Sequence, residues 1–462
     1  MERSKFRMPT AYTILFLLLV VVAAATWLIP AGAYDYENGV PQAGTYHPVA
    51  QNPQGVGQIL LAAFSGFYDA VDVCVFILMV GGFLGVVVRT GAIDAGVSQV
   101  IRRLNGREEW LIPILMVFFG LGGTTYGMWE ETMAFYPLLI PVFLAAGYDA
   151  VVGISVILLG AGAGVICSTV NPFATGIAAG FAGVSLGEGI GLRVLQWLVF
   201  EGAAIWFVMA YARRVKRDPT RSVVGVGAGK LHVSAAEPAA LTRTHAWILT
   251  VFVVVFAVMI YGVIPFDEMG LPLPALGWWF PELSALFLAG GVLAGLIGRM
   301  REAEIAETFV GGCADLLGVA LIIGISRGIT VLMNDGCITD TVLHWGEEAL
   351  SGTSPLRFLI LVYLLYLPLS LLIPSSSGLA TLSIPILAPL GKFAGVSGAL
   401  VVTAFQSASG LVNLVTPTAA VVMGALALGH VPYDRWIRFV WKLAAALLGL
   451  TLVFLAVGAA LT

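Results

Sequence analysis

Two adjacent carboxylates, Glu130 and Glu131, sit in an otherwise apolar stretch, just past the glycine-rich turn Gly122-Gly-Thr-Thr-Tyr-Gly127 and beside Trp129. A carboxylate at bilayer depth costs about 2.5–3.5 kcal/mol even on insertion scales, so it normally faces a partner or a water-filled cavity. One of the pair is suited to hold a cationic group. The other is suited to carry a proton, because neighbouring carboxylates resist ionising together. The plainer alternative is a turn that reaches the cytoplasmic surface, with both acids solvated.

Two further clusters mirror one another. Ser168-Thr-Val-Asn171-Pro172 and Asn413-Leu-Val-Thr416-Pro417-Thr418 each interrupt a long apolar run. Proline lacks the N–H of a helical hydrogen bond and frees a carbonyl, which can coordinate a cation; the half-helix that follows offers its N-terminus to an anion. Asn171, Asn413 and Thr416 are therefore expected to bind cargo, and Ser168, Thr169, Asn171, Thr416 and Thr418 to surround a sodium ion. Ser375, Ser376 and Ser377, in Pro374-Ser-Ser-Ser-Gly378, offer hydroxyls and backbone N–H groups to an anion. Arg327 is the one arginine well inside a second-half span, and a cargo carboxylate, Asp315 or Asp335 are its candidate partners. Ordinary proline kinks satisfied by Ser and Thr, and an internal ion pair at Arg327, are the structural alternatives. Asp69 and Asp72 read as interfacial residues, and His344 and His430 as loop residues.

The elements that must position these groups are membrane helices. Of the 462 residues, 59% are hydrophobic and 11% charged, whereas a soluble domain is about 25% charged. Runs such as 11–29 and 246–264 exceed the roughly 18 apolar residues that mark a membrane helix. The first follows Arg3, Lys5 and Arg7 but is too long for a signal-peptide core of about 7–15 residues, so it is expected to be retained. The four cysteines are scattered and predict neither a disulfide framework nor a zinc site.

Charge placement orients the chain. The stretches 34–54 and 266–282 contain no Lys or Arg, while Arg213, Arg214, Lys216, Arg217 and Arg221 gather together. The positive-inside rule puts the N-terminus and the basic cluster in the cytoplasm and leaves the C-terminus outside. Residues 110–146 and 356–394 read as re-entrant hairpins, and 150–180 and 398–428 as broken helices. The chain thus divides into a first repeat, 1–212, a cytoplasmic linker, 213–244, and a second repeat, 245–462. A crossing at 283–297 has no first-half counterpart and inverts the second repeat. Ordered matches (Phe64 with Phe309, Gly91 with Gly336, Pro137 with Pro385, Pro141 with Pro389, Pro172 with Pro417) support the pairing. Residues 55–67 are expected at the interface, and a surface helix is expected from Asp94. The fold expected is an all-α polytopic membrane protein with nine crossings and two hairpins. Interruptions at corresponding positions of two halves point to the binding site of a secondary carrier.

Five segments carry a family resemblance: Leu28-Ile-Pro-Ala-Gly-Ala-Tyr34, residues 123–131, Ser326-Arg-Gly-Ile-Thr-Val-Leu-Met-Asn-Asp335, Ile373-Pro-Ser-Ser-Ser-Gly378 and Asn413-Leu-Val-Thr-Pro417. They resemble the YfcC-type branch of the C4-dicarboxylate carrier (DcuC-like) family, within the ion-transporter superfamily. The resemblance implies an elevator-type carrier of the bacterial inner membrane, commonly a homodimer, and a cargo of the arginine/ornithine sort moved by antiport. Superfamily members use a Ser-Asn-Thr signature at both tips for carboxylate and sodium. That signature is not intact here: Thr124, Thr125, Glu130 and Glu131 stand at the first tip and Ser375, Ser376 and Ser377 at the second. The Glu pair would then take a cationic side chain, and the serines or Arg327 the α-carboxylate. The alternative is a C4-dicarboxylate or short-peptide carrier of the same fold, coupled to H+ or Na+ and tolerant of losing Glu130 or Glu131.

Other classes find little support. There is no P-loop, HExxH or GxSxG for an enzyme, no nucleic-acid partner is expected, and no cofactor beyond Na+ or H+ as coupling ion. A channel should show a continuous polar pore rather than two mirrored clusters.

Overall fold

The computed structural model describes residues 11–37, 40–93, 95–96, 99, 107–125, 127–185, 187–225, 241–263, 266 and 272–461. The first half contains α1 (Ala11–Leu28), α2 (Val56–Asp69), α3 (Val71–Arg89), α4 (Leu111–Thr125), α5 (Tyr136–Ala145), α6 (Ala150–Ile166), α7 (Ile177–Ala182) and α8 (Ile190–Arg217). The second contains α9 (Arg243–Val263), α10 (Phe280–Ile297), α11 (Glu302–Asp335), α12 (Thr339–Leu350), α13 (Pro355–Leu372), α14 (Ser376–Phe393), α15 (Gly398–Asn413), α16 (Ala420–Leu428) and α17 (Tyr433–Leu461). Among the described residues seven helices, namely α3, α8, α9, α10, α11, α13 and α17, are long and apolar enough to cross a membrane; α1 and α6 are shorter apolar helices. One of the seven, α13, covers the first arm of the hairpin expected over 356–394.

The helices pack as two bodies. In the first, α11 lies along both α2 and α3, α1 rests on α11, α10 on α3, and α9 on α10. Glycine makes this possible: a Cβ at Gly66 would strike the backbone of Gly324 and Gly328, and one at Gly81 that of Gly312. Close backbone approach at small residues is how helices associate where lipid removes the hydrophobic drive. In the second body, α4, α5 and α8 pack on α6, while α15 packs on α6, α13, α14 and α17. Phe135 of the first hairpin, 4.6 Å from Phe256 of α9 between ring centres, is one of the contacts joining the bodies.

The amphipathic segment 55–67, expected to lie at the interface, belongs to α2, and it buries Ala62, Ala63 and Gly66 against α11. At 34 residues, α11 is long enough to cover α2 and α3 together. The surface helix expected from Asp94 falls largely outside the described residues, as do residues 226–240 of the linker. His344 is not a loop residue. It lies on α12, which the sequence reading passed over, and stacks on Tyr46 with ring centres 3.9 Å apart.

Around α12 the loop that follows α1 is latched down. Its short strands β1 (Gly32–Ala33) and β2 (Tyr36–Glu37) pair with β4 (His47–Pro48) and β3 (Val40–Pro41) respectively. Asp340 accepts hydrogen bonds from the Tyr34 backbone N–H (3.0 Å) and the Tyr36 hydroxyl (2.8 Å), while the Tyr34 hydroxyl donates to Glu347 (2.7 Å). Asp340→Ala leaves two donors without their acceptor and is expected to cost about 1–3 kcal/mol, read as a lower melting temperature in detergent. Burial, and then the Glu347 bond, push the Tyr34 hydroxyl above its ordinary titration range; burial and Asp340 do the same for Tyr36. Their contribution is fully present below the unfolded tyrosine value of about 10 and is lost as pH rises through the higher folded values. Melting should therefore be insensitive to these groups between about pH 7 and 9 and should fall above about pH 10.

Candidate functional site

A cavity of about 200 Å³ opens where the two bodies meet. The first body contributes Asp69, Asp72, Trp279, Ser326 and Arg327 to its wall; the second contributes Trp129, Glu130, Glu131, Asn171, Ser375, Ser376, Ser377, Gln406, Asn413 and Thr418.

In the first hairpin, α4 continues through Thr125, so the glycines expected at a bare tip are largely helical. Their work is contact: a Cβ at Gly123 would strike the Ala161 carbonyl, and one at Gly164 the Gly120 carbonyl. The chain reverses at Gly127, φ +81°, with the N–H groups of Gly127 and Met128 both donating to the Gly122 carbonyl at 3.1 Å. A 3-10 segment, Glu130–Phe135, then precedes α5. It places both acids on the cavity wall, Glu131 buried and Glu130 half-buried, rather than at a solvated surface. Glu131 Oε2 accepts from the Trp129 N–H at 3.0 Å, which pins the turn. Gly127→Ala would force a left-handed conformation costing about 1–2 kcal/mol and drive its Cβ onto the Asn171 amide. It should lower transport more than it lowers the melting temperature, compared in one preparation.

The second hairpin turns straight into helix. Ser375 Oγ accepts from the Gly378 N–H (3.2 Å) and lies 3.3 Å from the Ser377 hydroxyl. The N-terminus of α14, with its partial positive charge, thus borders the cavity at Ser375, Ser376 and Ser377.

Each tip is tied to the break that follows it. Thr169 donates to the Thr124 carbonyl from N–H (2.8 Å) and from Oγ1 (2.9 Å), and Thr124 Oγ1 donates to the Cys167 carbonyl (3.1 Å). In the mirror position, Thr418 Oγ1 donates to the Leu371 carbonyl at 3.1 Å and lies 2.8 Å from the Thr416 hydroxyl. Thr125 bonds back to Leu121 in its own helix, and Ser168 accepts from Thr175. Thr124, Thr125, Ser168, Thr169 and Thr416 therefore stand off the cavity wall, while Asn171, Asn413 and Thr418 are on it. Carbonyls at the breaks, expected to coordinate a cation, are already occupied: Val165 by Gln406 Nε2, Ile166 by the Ser407 hydroxyl, Leu414 by Trp436 Nε1, Val415 by the Tyr433 hydroxyl. Carbonyls this deep need partners wherever they are, and packed side chains supply them.

Arg327 pairs with Asp69 at 3.6 Å, not with Asp315 or Asp335. Those two lie on its own helix, about 18 and 12 Å along the axis. Asp69 and Asp72 flank the α2–α3 break at Ala70 and face the cavity, with Asp72 accepting from Trp279 Nε1 at 3.2 Å. They were read as interfacial because nothing local distinguishes an acid beside a helix break from one at a membrane edge. Gln406, Trp129 and Trp279 likewise gave no signal as wall residues.

The sequence matches the C4-dicarboxylate anaerobic carrier (DcuC) family over residues 8–460. The chain belongs to that family. An uncharacterized protein of Haemophilus influenzae is 34% identical, covering 97% of this chain and 96% of its own. An Escherichia coli K12 protein named "Putative basic amino acid antiporter YfcC" is 30% identical, covering 97% and 95%. The YdaH transporter of Alcanivorax borkumensis superposes with a TM-score of 0.47 at 15% identity, covering 97% of this chain and 98% of that one. MtrF of Neisseria gonorrhoeae does so with 0.47 at 17%, covering 97% and 94%. Superpositions that loose carry no argument.

In this DcuC family member the cavity combines four carboxylates with a single arginine, itself beside one of them, and an anion-attracting helix end. Among the described residues no three His, Cys, Asp or Glu side chains are grouped to hold a metal ion. As a member of this carrier family the chain is a membrane transporter, and this cavity is its candidate solute site.

Proposed function

We propose that this transporter carries a basic amino acid of the arginine/ornithine type, by exchange. The observation that carries the reading is the excess of carboxylates on the cavity wall: Asp69, Asp72, Glu130 and Glu131 against Arg327 alone. A basic amino acid has one carboxylate and two cationic ends, which matches an acidic wall that also includes the α14 N-terminus. Ser375, Ser376 and Ser377 would receive the α-carboxylate, with Glu130 and Glu131 holding the side-chain cation and Asn171 and Asn413 fixing orientation. The name of the E. coli relative agrees with this cargo, whereas the family's name favours a C4-dicarboxylate. A dicarboxylate would need a second anion site, and Arg327 is already paired. The position of the cavity between two packed bodies supports an elevator motion, with 1–212 and 245–462 as inverted repeats and a homodimeric scaffold. The coupling ion, if the exchange is not obligatory, would be Na+ or H+, with Asn171 and Thr418 the sodium candidates that reach the cavity.

Counterflow in proteoliposomes tests the cargo. Vesicles preloaded with arginine, ornithine, lysine, succinate, fumarate or a dipeptide are offered labelled arginine. Acceleration by internal ornithine supports the reading. Succinate exchange without arginine exchange overturns it in favour of the dicarboxylate.

A further inference from the structure

Glu201 of α8 is 3% exposed, lies off the cavity wall, and has no hydrogen-bond donor at either carboxyl oxygen. Its space is made by another helix: a Cβ added to Gly120 of α4 would fall on the Glu201 carboxyl. Among the described residues no charge answers it. The helices packed most closely on α8 are α4, α6 and α17, and α15, which has no ionisable side chain, meets it at the Gln196–Ser407 bond. Neither α4 nor α6 contains an ionisable side chain, and α17 contains none from Leu443 onward, the level at which Phe454 meets Phe200. The short turn Pro219–Arg221 also touches α8, at its far end, where Arg221 pairs with Asp218. Along α8 itself the closest charged residues are Arg193 and Arg213, about 12 and 18 Å away on the axis. Cys167, just beyond α6, carries no positive charge to answer it.

A carboxylate without donor or counter-ion in this setting does not persist; the neutral acid does. A buried amide of the same helix is bonded to the helix that reaches the cavity. Gln196 of α8 donates to Ser407 at 3.0 Å, Gln406 reaches the wall, and the side-chain oxygens of both glutamines lack donors.

We propose that Glu201 is a proton-binding site of this carrier, separate from the solute cavity, filled in the arrangement described and emptied when the bodies rearrange. Binding joins a proton to one carboxylate oxygen, and release returns it to water; no other bond changes. The inference rests on the carrier reading but not on the identity of the cargo.

Two measurements on the reconstituted full-length protein test it. Infrared spectra of wild type and E201Q at neutral pH should differ by one protonated-carboxyl band that shifts in D2O and also disappears in E201Q. Vesicles with imposed pH gradients of either sign should accumulate arginine about tenfold per pH unit in one direction, the value for one linked proton. In E201Q that ratio should fall to about one, and E201D should restore part of it. Identical infrared spectra, or a gradient response that survives in E201Q, would overturn the proposal. Loss of the band with no movement of arginine, ornithine, lysine or succinate by either protein would support the proton site and sink the cargo reading instead.

Discussion

Replacing Glu130 with glutamine is expected to cut arginine counterflow about 100-fold while leaving the protein folded. Glu130 is half-buried on the cavity wall, in a 3-10 turn that the preceding glycine turn holds in place. Glutamine preserves its size and polarity and removes only the charge. Truncating one partner of a desolvated charge pair costs about 3 kcal/mol, which is about two decades in affinity. Glu131 separates two roles at one position. Its carboxylate accepts from the Trp129 N–H, a bond that glutamine can keep and alanine cannot. Glu131→Gln should therefore reduce transport without lowering the melting temperature, and Glu131→Ala should lower both. The measurement is counterflow at several arginine concentrations beside thermal melting of the same preparations. Full arginine exchange in Glu130→Gln would remove the acidic wall from the binding site.

The second large effect is structural. Gly81→Val is expected to abolish the folded protein, read as loss of the monodisperse peak in fluorescence-detected size exclusion. At Gly81 and Gly312 the backbones of α3 and α11 touch, and a Cβ on either residue would strike the carbonyl of the other. Neither carbonyl can rotate away, so the helices must part, costing about 3 kcal/mol by overpacking alone. The neighbouring Gly311 supplies the control. A Cβ there meets nothing, and Gly311→Ala should stabilise α11 by about 0.8–1 kcal/mol of helix propensity. A Gly81→Val protein that folds normally would show that the first body of helices does not depend on this seam.

How much of this was legible beforehand depends on how local each signal is. Apolar runs such as 11–29, the Lys- and Arg-free loops and the interruptions at Asn171-Pro172 and Thr416-Pro417 are properties of adjacent residues. They determined a helical membrane protein with broken elements, and the motifs around Glu130 and Ser375 determined its family. Tertiary structure decided which polar groups share a cavity. A threonine hydroxyl has the same chemistry whether it meets cargo or a neighbouring carbonyl, and packing sent those of Thr124 and Thr169 to carbonyls. Asp69 became a wall residue because α11 lies across the α2–α3 break and brings Arg327 to it. Glu201, unremarkable in a helix that also carries basic residues, acquired its isolation only when Gly120 of α4 closed over it. Helix formation follows from neighbours along the chain, whereas solvation and charge pairing inside a membrane follow from neighbours in space.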